Sequence, residues 1–563
     1  MIRLAALAAL AVVLYSCTPE ADTTLETGTD TTVATTTTTS TVTTTTTSTT
    51  TTIATTTTAP SSSGLTCWTA DSSSGTPGSI KFIDITEDTG LIEPLKGMHG
   101  HAAVWLDVDG NDLPDLYVGT FADRPDGVYQ VRGADGPSPD RLLVGDGEGF
   151  AVDDSLQETF ARTSGGVGVD LDNDGDIDLV SSRNVKEPQP GQAPTQILEN
   201  VDGALRVVED SGIPADLGGR SVGVLDYDQD GRYDLFVVED RFAGGSSALF
   251  RNEGDLRFRD VTREAGLPDG VHGLGVAVAD FDDDGLADIF VAGSNRLFLS
   301  DEPGSFTEAD SSMFEWETYG EEDDVAGVSV ADVNRDGLLD LAVGHHYNST
   351  VDFGEEVPIR LYLNEGEGRF RDVTEEAGLT PLPTKAPHVE LNDFDNDGWP
   401  DLFTSASAGE GPAVFRHQGL EDGVPRFATP SGLGDPQYWV AAPSADYNRD
   451  GRLDVFLVEW EPSLPSLLLR NETASGNWLE VSVGSEHGSG LGWRVEVLDG
   501  DAIIGAREIT VTQGYSAGVL PFAHFGLADL DEVDVRLTPR GDQDPILIES
   551  VMANQHVRWP AGC

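Results

Sequence analysis

Apolar residues in this chain fall in short runs of four to seven, such as those in GVAVAD (275–280) and DIFVAG (288–293), bounded by Gly, Asp and Asn. Helical spacing is hard to find, and runs of this length and composition predict β-strands. Between paired runs lies an acidic nine-residue loop that recurs seven times: DVDGNDLPD (107–115), DLDNDGDID (170–178), DYDQDGRYD (226–234), DFDDDGLAD (280–288), DVNRDGLLD (332–340), DFDNDGWPD (393–401) and DYNRDGRLD (446–454). Successive starts are 52 to 63 residues apart, which marks a repeat architecture. A segment resembling F-x-D-x-T-x-x-x-G-L precedes each loop, as in FIDITEDTGL (82–91) and FRDVTREAGL (258–267), and a hairpin start follows each second strand, as in LFRNEGD and LYLNEGEG. Each unit therefore predicts about four strands, the content of a propeller blade.

The two ends carry the closure. The first F-x-D segment has no hairpin before it, and the last hairpin start (467–473) has no such segment after it. The fold class expected is all-β, a closed seven-bladed propeller whose final blade borrows its outer strand from the N-terminal segment, since closure removes exposed sheet edges. An open array is the alternative.

The loop spacing also carries chemistry. Oxygen side chains at positions 1, 3, 5 and 9 of a tight turn point inward, glycine at position 6 permits the bend, and position 7 offers its carbonyl. The candidate ligands are Asp107, Asp109, Asn111 and Asp115; Asp170, Asp172, Asp174 and Asp178; Asp226, Asp228, Asp230 and Asp234; Asp280, Asp282, Asp284 and Asp288; Asp332, Asn334, Asp336 and Asp340; Asp393, Asp395, Asp397 and Asp401; and Asp446, Asn448, Asp450 and Asp454. Calcium accepts six to eight oxygens in flexible geometry and suits this set better than magnesium, so up to seven structural Ca²⁺ are expected. These are not EF-hands, because position 12 is Val118, Ser181, Val237, Val291, Val343, Thr404 or Leu457 and never acidic. The first loop has Asp112 in the usual glycine place, with Gly110 displaced.

Residues of about 80–470 resemble the FG-GAP/VCBS repeats of integrin α-chain propellers and bacterial surface proteins. The resemblance implies calcium between the first two strands of a blade, on one face of the disc. After residue 473 the acidic loops stop, and GNWLEVSVGS (476–485), WRVEVLDG (493–500), REITVTQGYSAG (507–518), HFGLADLDEVDVRLTPRG (524–541) and MANQHVRW (552–559) alternate as strands. NWLEV, the G-Y-S stretch, HFGL and the late NQ resemble the ASPIC/UnbV domain of the cartilage acidic protein 1 family, with a departure at LTPRG where that family has W-P-x-G. A small β-sandwich-like domain is implied.

The N-terminus changes the picture of where the protein works. MIRLAALAALAVVLYSC (1–17) has a positive start and an apolar stretch of signal-peptide length. LYSC (14–17) resembles the lipobox of bacterial lipoproteins, which implies lipidation of Cys17 and an exported protein displayed on the cell envelope through a lipid anchor; an ordinary secretory signal is the alternative. Residues 18–63 are dominated by Thr and bury almost nothing, so they read as a disordered tether. The expected domains are a signal peptide (1–16), lipidated cysteine and tether (17–63), propeller (64–473) and ASPIC/UnbV-like domain (474–563). With Cys17 lipidated, Cys67 and Cys563 remain, and a disulfide between them would tie the folded ends together; two unpaired thiols are the alternative.

A formal net charge of −65 repels phosphate backbones and argues against nucleic acid as a partner. Candidate catalytic chemistry is thin. Gly514-Tyr515-Ser516-Ala517-Gly518 matches G-x-S-x-G but lies between strands, not at a strand-to-helix turn. Arg540-Gly541-Asp542 spells an integrin-recognition tripeptide that an Asp- and Gly-rich chain produces by chance, and no Cys/His cluster suggests zinc. Connections on the face opposite the acidic loops would gather His99, His101, Arg220, His272, His345, His346 and His388 as a candidate ligand face. The expectation is a non-enzymatic binding or adhesion module for a protein, matrix or glycan ligand; the alternative is a polysaccharide-active, lyase-like enzyme using that opposite face.

Overall fold

The computed structural model describes residues 65–70, 79–185, 193–240, 245–316, 325–346, 357–382, 387–405, 413–432, 440–484, 489–541 and 543–560. Among the described residues, strands make up nearly all of the regular structure, and no helix is long and apolar enough to cross a membrane. Seven four-stranded antiparallel arrangements follow one another along the chain, each opening on an acidic loop between its first two strands. Blade 1 contains Gly100–Leu106, Asp115–Thr120, Arg141–Gly145 and Phe150–Val152. Blades 2 to 5 repeat this order, and blade 6 carries an extra hairpin, His417–Glu421 with Val424–Phe427. The last sheet pairs Phe82–Asp84 with Leu467–Asn471, in the register Phe82↔Asn471 and Asp84↔Leu469. The outer strand of blade 7 thus comes from the N-terminal segment, as the two unmatched chain ends require.

First strands are buried along almost their whole length and line the axis, where neighbouring backbones approach closely. A Cβ on Gly275 would lie 2.1 Å from the Ala326 carbonyl oxygen of the next blade, so only glycine fits there. Apolar clusters fill the seams between blades. Trp105, Leu116 and Val118 of blade 1 pack with Tyr447, Phe456 and Leu468 of blade 7, and Trp105 Nε1 donates to the Pro443 carbonyl at 3.0 Å.

The C-terminal part forms two four-stranded sheets packed over Leu479, Val481, Val495, Val497, Val535 and Leu537. Its first sheet corrects one expected boundary. Thr66–Thr69, assigned above to the propeller side of residue 473, pairs instead with Gln555–Trp559 at the edge of the C-terminal sheet. Trp68 explains why: its ring lies 5.0 Å from that of Trp478 and its Nε1 donates to His556 Nδ1 at 3.1 Å. Cys67 on this strand is disulfide-bonded; Cys17 and Cys563 lie outside the described residues.

The C-terminal domain docks on the acidic-loop face and sends a segment into the channel. Arg494 Nη1 donates to Asp283 Oδ1 (3.1 Å), His524 Nε2 meets Asn396 Oδ1 (2.9 Å), and Asp280 N donates to Glu508 Oε1 (3.0 Å). Residues 512–518 run among the inner strands: Thr512 Oγ1 donates to the Val222 carbonyl (2.5 Å), Gly514 and Val328 exchange backbone hydrogen bonds (2.8 and 3.1 Å), and Ala517–Gly518 pairs in parallel with Ala103 and Val104. The G-x-S-x-G match is therefore a plug in the propeller axis, and Ser516 is fully buried.

Candidate metal centres

Each acidic loop first organises its own backbone. In the fourth loop, Asp284 N (3.0 Å) and Gly285 N (2.8 Å) donate to the position-1 carboxylate of Asp280. The same pair of donors serves Asp226, Asp393 and Asp446. The position-9 carboxylate of Asp288 accepts from Phe281 N (2.8 Å) and from Ser300 N of the third strand (2.8 Å). Matching pairs hold Asp115, Asp178, Asp234, Asp340 and Asp401. Positions 4 and 6 are both left-handed, as at Asp283 (φ 63°) and Gly285 (φ 87°). The first loop keeps this pair with its glycine moved, Gly110 at φ 70° and Asp112 at φ 61°, and Arg558 Nη2 donates to Asp112 Oδ1 at 2.9 Å.

Inward-pointing oxygens remain after these bonds are made. Asp170, Asp228, Asp282, Asp332 and Asp395 each bury an Oδ1 with no hydrogen-bond partner, and Asp454 an Oδ2. A buried carboxylate oxygen facing neither donor nor cation is costly. In five loops, carboxylate oxygens of three residues converge within 4.8 Å: Asp107, Asp109 and Asp115; Asp170, Asp172 and Asp178; Asp226, Asp228 and Asp230; Asp280, Asp282 and Asp288; Asp393, Asp395 and Asp401. Burial, with the neighbouring Asp charges, pushes Asp115 up to about 7 and Asp178 and Asp234 up to about 8. It likewise raises Asp288, Asp340, Asp401 and Asp454 well above the usual carboxylate range. A divalent cation would hold such a set ionised, so the all-oxygen donor sets fit a hard ion. In the fifth and seventh loops Asn334 and Asn448 instead donate to Asp336 (2.8 Å) and Asp450 (3.1 Å).

The third strand contributes residues that the loop motif alone does not reveal. Asn200, Asn252, Asn364 and Asn471 each donate through Nδ2, at 2.8 Å, to the position-2 carbonyl of the preceding loop: Val108, Leu171, Phe281 and Phe394. His417 Nε2 meets the Val333 carbonyl (3.1 Å) in the same place. These side chains staple each blade to the loop before it. Their signal is the repeated Asn ending ILEN (197–200), LFRN (249–252), LYLN (361–364) and LLRN (468–471).

Of the candidate ligand-face residues, His101, Arg220, His346 and His388 gather around the plug. His101 lies 5.6 Å from the Tyr515 ring and 3.3 Å from Arg220 Nη1; Tyr515 N donates to His388 Nδ1 (3.2 Å), and the His346 ring is 6.4 Å from that of Tyr515. The His99 ring lies 3.9 Å from that of Trp460, tilted 53° to it. His99, His101, Arg220, His345 and His388 are buried, while His272 and His346 are half-buried. This corrects the expectation of an open imidazole face: Tyr515, arriving from the C-terminal domain, occupies the space. Burial and the Arg124 charge lower His99 to about 4, and burial with Arg220 holds His101 well below the usual imidazole value.

The FG-GAP-like repeat family matches residues 170–237, 226–291, 350–404 and 393–457. Cartilage acidic protein 1 of Mus musculus is 29% identical over 353 residues, 58% of this chain and 52% of that protein, so the chain spans about half of that relative. Cartilage acidic protein 1 of Homo sapiens is 26% identical over 502 residues, 81% of this chain and 74% of that protein. A Bacillus licheniformis rhamnogalacturonan lyase superposes with a TM-score of 0.36 and 13% identity, over 67% of this chain and 72% of that one. Residues 170–291 and 350–457 thus match FG-GAP-like repeats, and the chain is similar in sequence to cartilage acidic protein 1.

Proposed function

We propose that the protein is an extracellular, calcium-stabilised binding module that meets a protein, matrix or glycan ligand on the propeller face opposite the acidic loops. The observation that supports this reading is the covering of the other face: the C-terminal domain lies on the acidic loops and residues 512–518 fill the channel. Val128, Phe160 and Leu464, in connections of blades 1 and 7 on the opposite face, are 40%, 44% and 36% exposed. Screening the full-length protein against matrix-protein and glycan arrays tests it. Val128→Asp, Phe160→Asp and Leu464→Asp should each weaken a detected interaction about tenfold, as expected when an interface anchor is lost. Met552→Asp in the C-terminal domain should leave it unchanged; binding lost only with Met552→Asp would overturn the choice of face.

The lyase reading draws on the meeting of His101, Arg220, Tyr515 and His388, side-chain types suited to abstracting a proton beside a carboxylate. All four are buried, and Arg220 is paired with Asp240 at 2.5 Å, which favours binding over turnover. Glycans recovered intact from the array support the binding module, whereas unsaturated fragments would favour the lyase.

Display is part of the same proposal: lipid on Cys17 anchors the chain to a cell envelope and the Thr-rich segment holds the folded part away from it. Peptide mapping of exported protein under non-reducing conditions should find a lipid-modified Cys17 and Cys67 joined to Cys563. Cys67 recovered with any other partner, or unmodified Cys17, would contradict the corresponding half.

A further inference from the structure

Loops three and six differ from the rest in what meets their carboxylates from outside. The third-strand residue just before the one whose backbone N–H caps the position-9 Asp is Val144, Glu199, Arg251, Leu299, Leu363, Arg416 or Arg470 in blades 1 to 7. Arg251 places Nε 2.7 Å from Asp228 Oδ2 and Nη2 2.7 Å from Asp230 Oδ2. Arg416 repeats the fork, with Nε 2.6 Å from Asp395 Oδ2 and Nη2 2.5 Å from Asp397 Oδ2. Each guanidinium thus bridges positions 3 and 5 of its loop. Arg470 stands at the same register in blade 7, where position 3 is Asn448, and turns away to Glu472 (2.9 Å). The fork forms where both positions are Asp.

We propose that Arg251 and Arg416 are built-in cations that grade the calcium loops, holding loops three and six together without an ion and lowering their affinity for one. Two observations carry this. The fork uses only the outer oxygens, so Asp228 Oδ1 and Asp395 Oδ1 remain buried, unpartnered and free to meet an ion. The charge around the loops is the second observation. Loops one, five and seven carry three carboxylates at their ligand positions because of Asn111, Asn334 and Asn448, and in loop seven Arg452 pairs with Asp450; loops three and six, with four Asp each, meet guanidinium groups, Arg416 in loop six and Arg251 together with Arg232, which also donates to Asp230, in loop three. Loop two keeps four Asp at its ligand positions with Glu199 at the third-strand position and is the tight site, whereas loop four, with Leu299 there, has the Arg540 charge beside Asp280 and Arg494 on Asp283. A bidentate guanidinium–carboxylate pair is strong enough to organise an ion-free loop, and its charge repels a divalent cation bound on the other oxygens.

The inference rests on the calcium reading, and the test separates the two. Full-length wild type, Arg251→Leu, Arg416→Leu and Arg416→Lys are stripped with EGTA, titrated with calcium by calorimetry, and melted with and without calcium. Leucine is the natural residue at this register in blades 4 and 5. Removing a unit charge near a divalent ion in a solvent-like dielectric should tighten the weak class of sites about tenfold. The leucine variants should also melt lower in EGTA while losing little in saturating calcium. Arg416→Lys keeps the charge but not the fork, so it should lower the EGTA melting temperature and leave calcium affinity near wild type. Unchanged or weakened calcium binding in the leucine variants, or equal melting losses in both conditions, would overturn the proposal. A wild type that binds no calcium would instead overturn the calcium reading beneath it.

Discussion

Replacing Gly514 with alanine is expected to destabilise the protein by about 2–4 kcal/mol, the joint cost of a left-handed backbone and an overpacked core. Gly514 sits at φ 68° where the plug exchanges backbone hydrogen bonds with Val328, and a Cβ there would lie 2.2 Å from His388 Cε1. His388 has no room to yield: it is fully buried, its Nδ1 accepts from Tyr515 N, and its Nε2 faces Glu390 Oε1 at 3.4 Å. Relieving the clash means withdrawing the plug, which uncovers Tyr515, Leu274, Ala326 and Val440 together. Gly500→Ala is the control, because that glycine is also left-handed (φ 62°) but has nothing within 4 Å of an added Cβ. It should cost only the backbone share, about 1–2 kcal/mol. Urea unfolding of the two variants compares them, and equal losses would contradict a plug that locks the propeller axis.

How much of this was legible in the sequence follows from the range of the interactions. The acidic loops were legible because nine adjacent residues make the turn and its ligand set. The closing strand was legible because a strand missing at one end and spare at the other must pair, as Phe82–Asp84 and Leu467–Asn471 do. The Asn staples were present as a repeat, yet their meaning depends on a carbonyl about 80 residues or more away, as for Asn252 and the Leu171 carbonyl. The plug was not legible at all, since Gly514 meets Val328 and Ser516 meets Ala103 only after the propeller has closed. The same distance undid the open histidine face: its residues converge as the topology dictates, but nothing local to them shows that Tyr515 will fill the gap. Thr66–Thr69 was hidden for a related reason. A four-residue edge strand beside a low-complexity tether has no periodicity to read, and Trp68 takes its place from Trp478 and His556.

Chelation is expected to produce the largest change of all. Each site held at a hundredfold excess over its dissociation constant contributes about 2.7 kcal/mol. The five loops whose acidic groups converge would then contribute on the order of 13 kcal/mol together. Unfolding roughly 500 residues at about 2.1 cal/mol/K each converts this to a fall of about 13 °C in melting temperature. The loss should be felt beyond the loops, because Asp280 and Asn396 also hold the C-terminal domain through Glu508 and His524. Differential scanning calorimetry of the full-length protein in excess calcium and after exhaustive EDTA treatment is the most direct measurement. Calcium-filled acidic loops predict a melting temperature at least 10 °C lower after stripping, restored by calcium and only weakly by magnesium. An unchanged melting temperature in EDTA would contradict a fold held by bound ions.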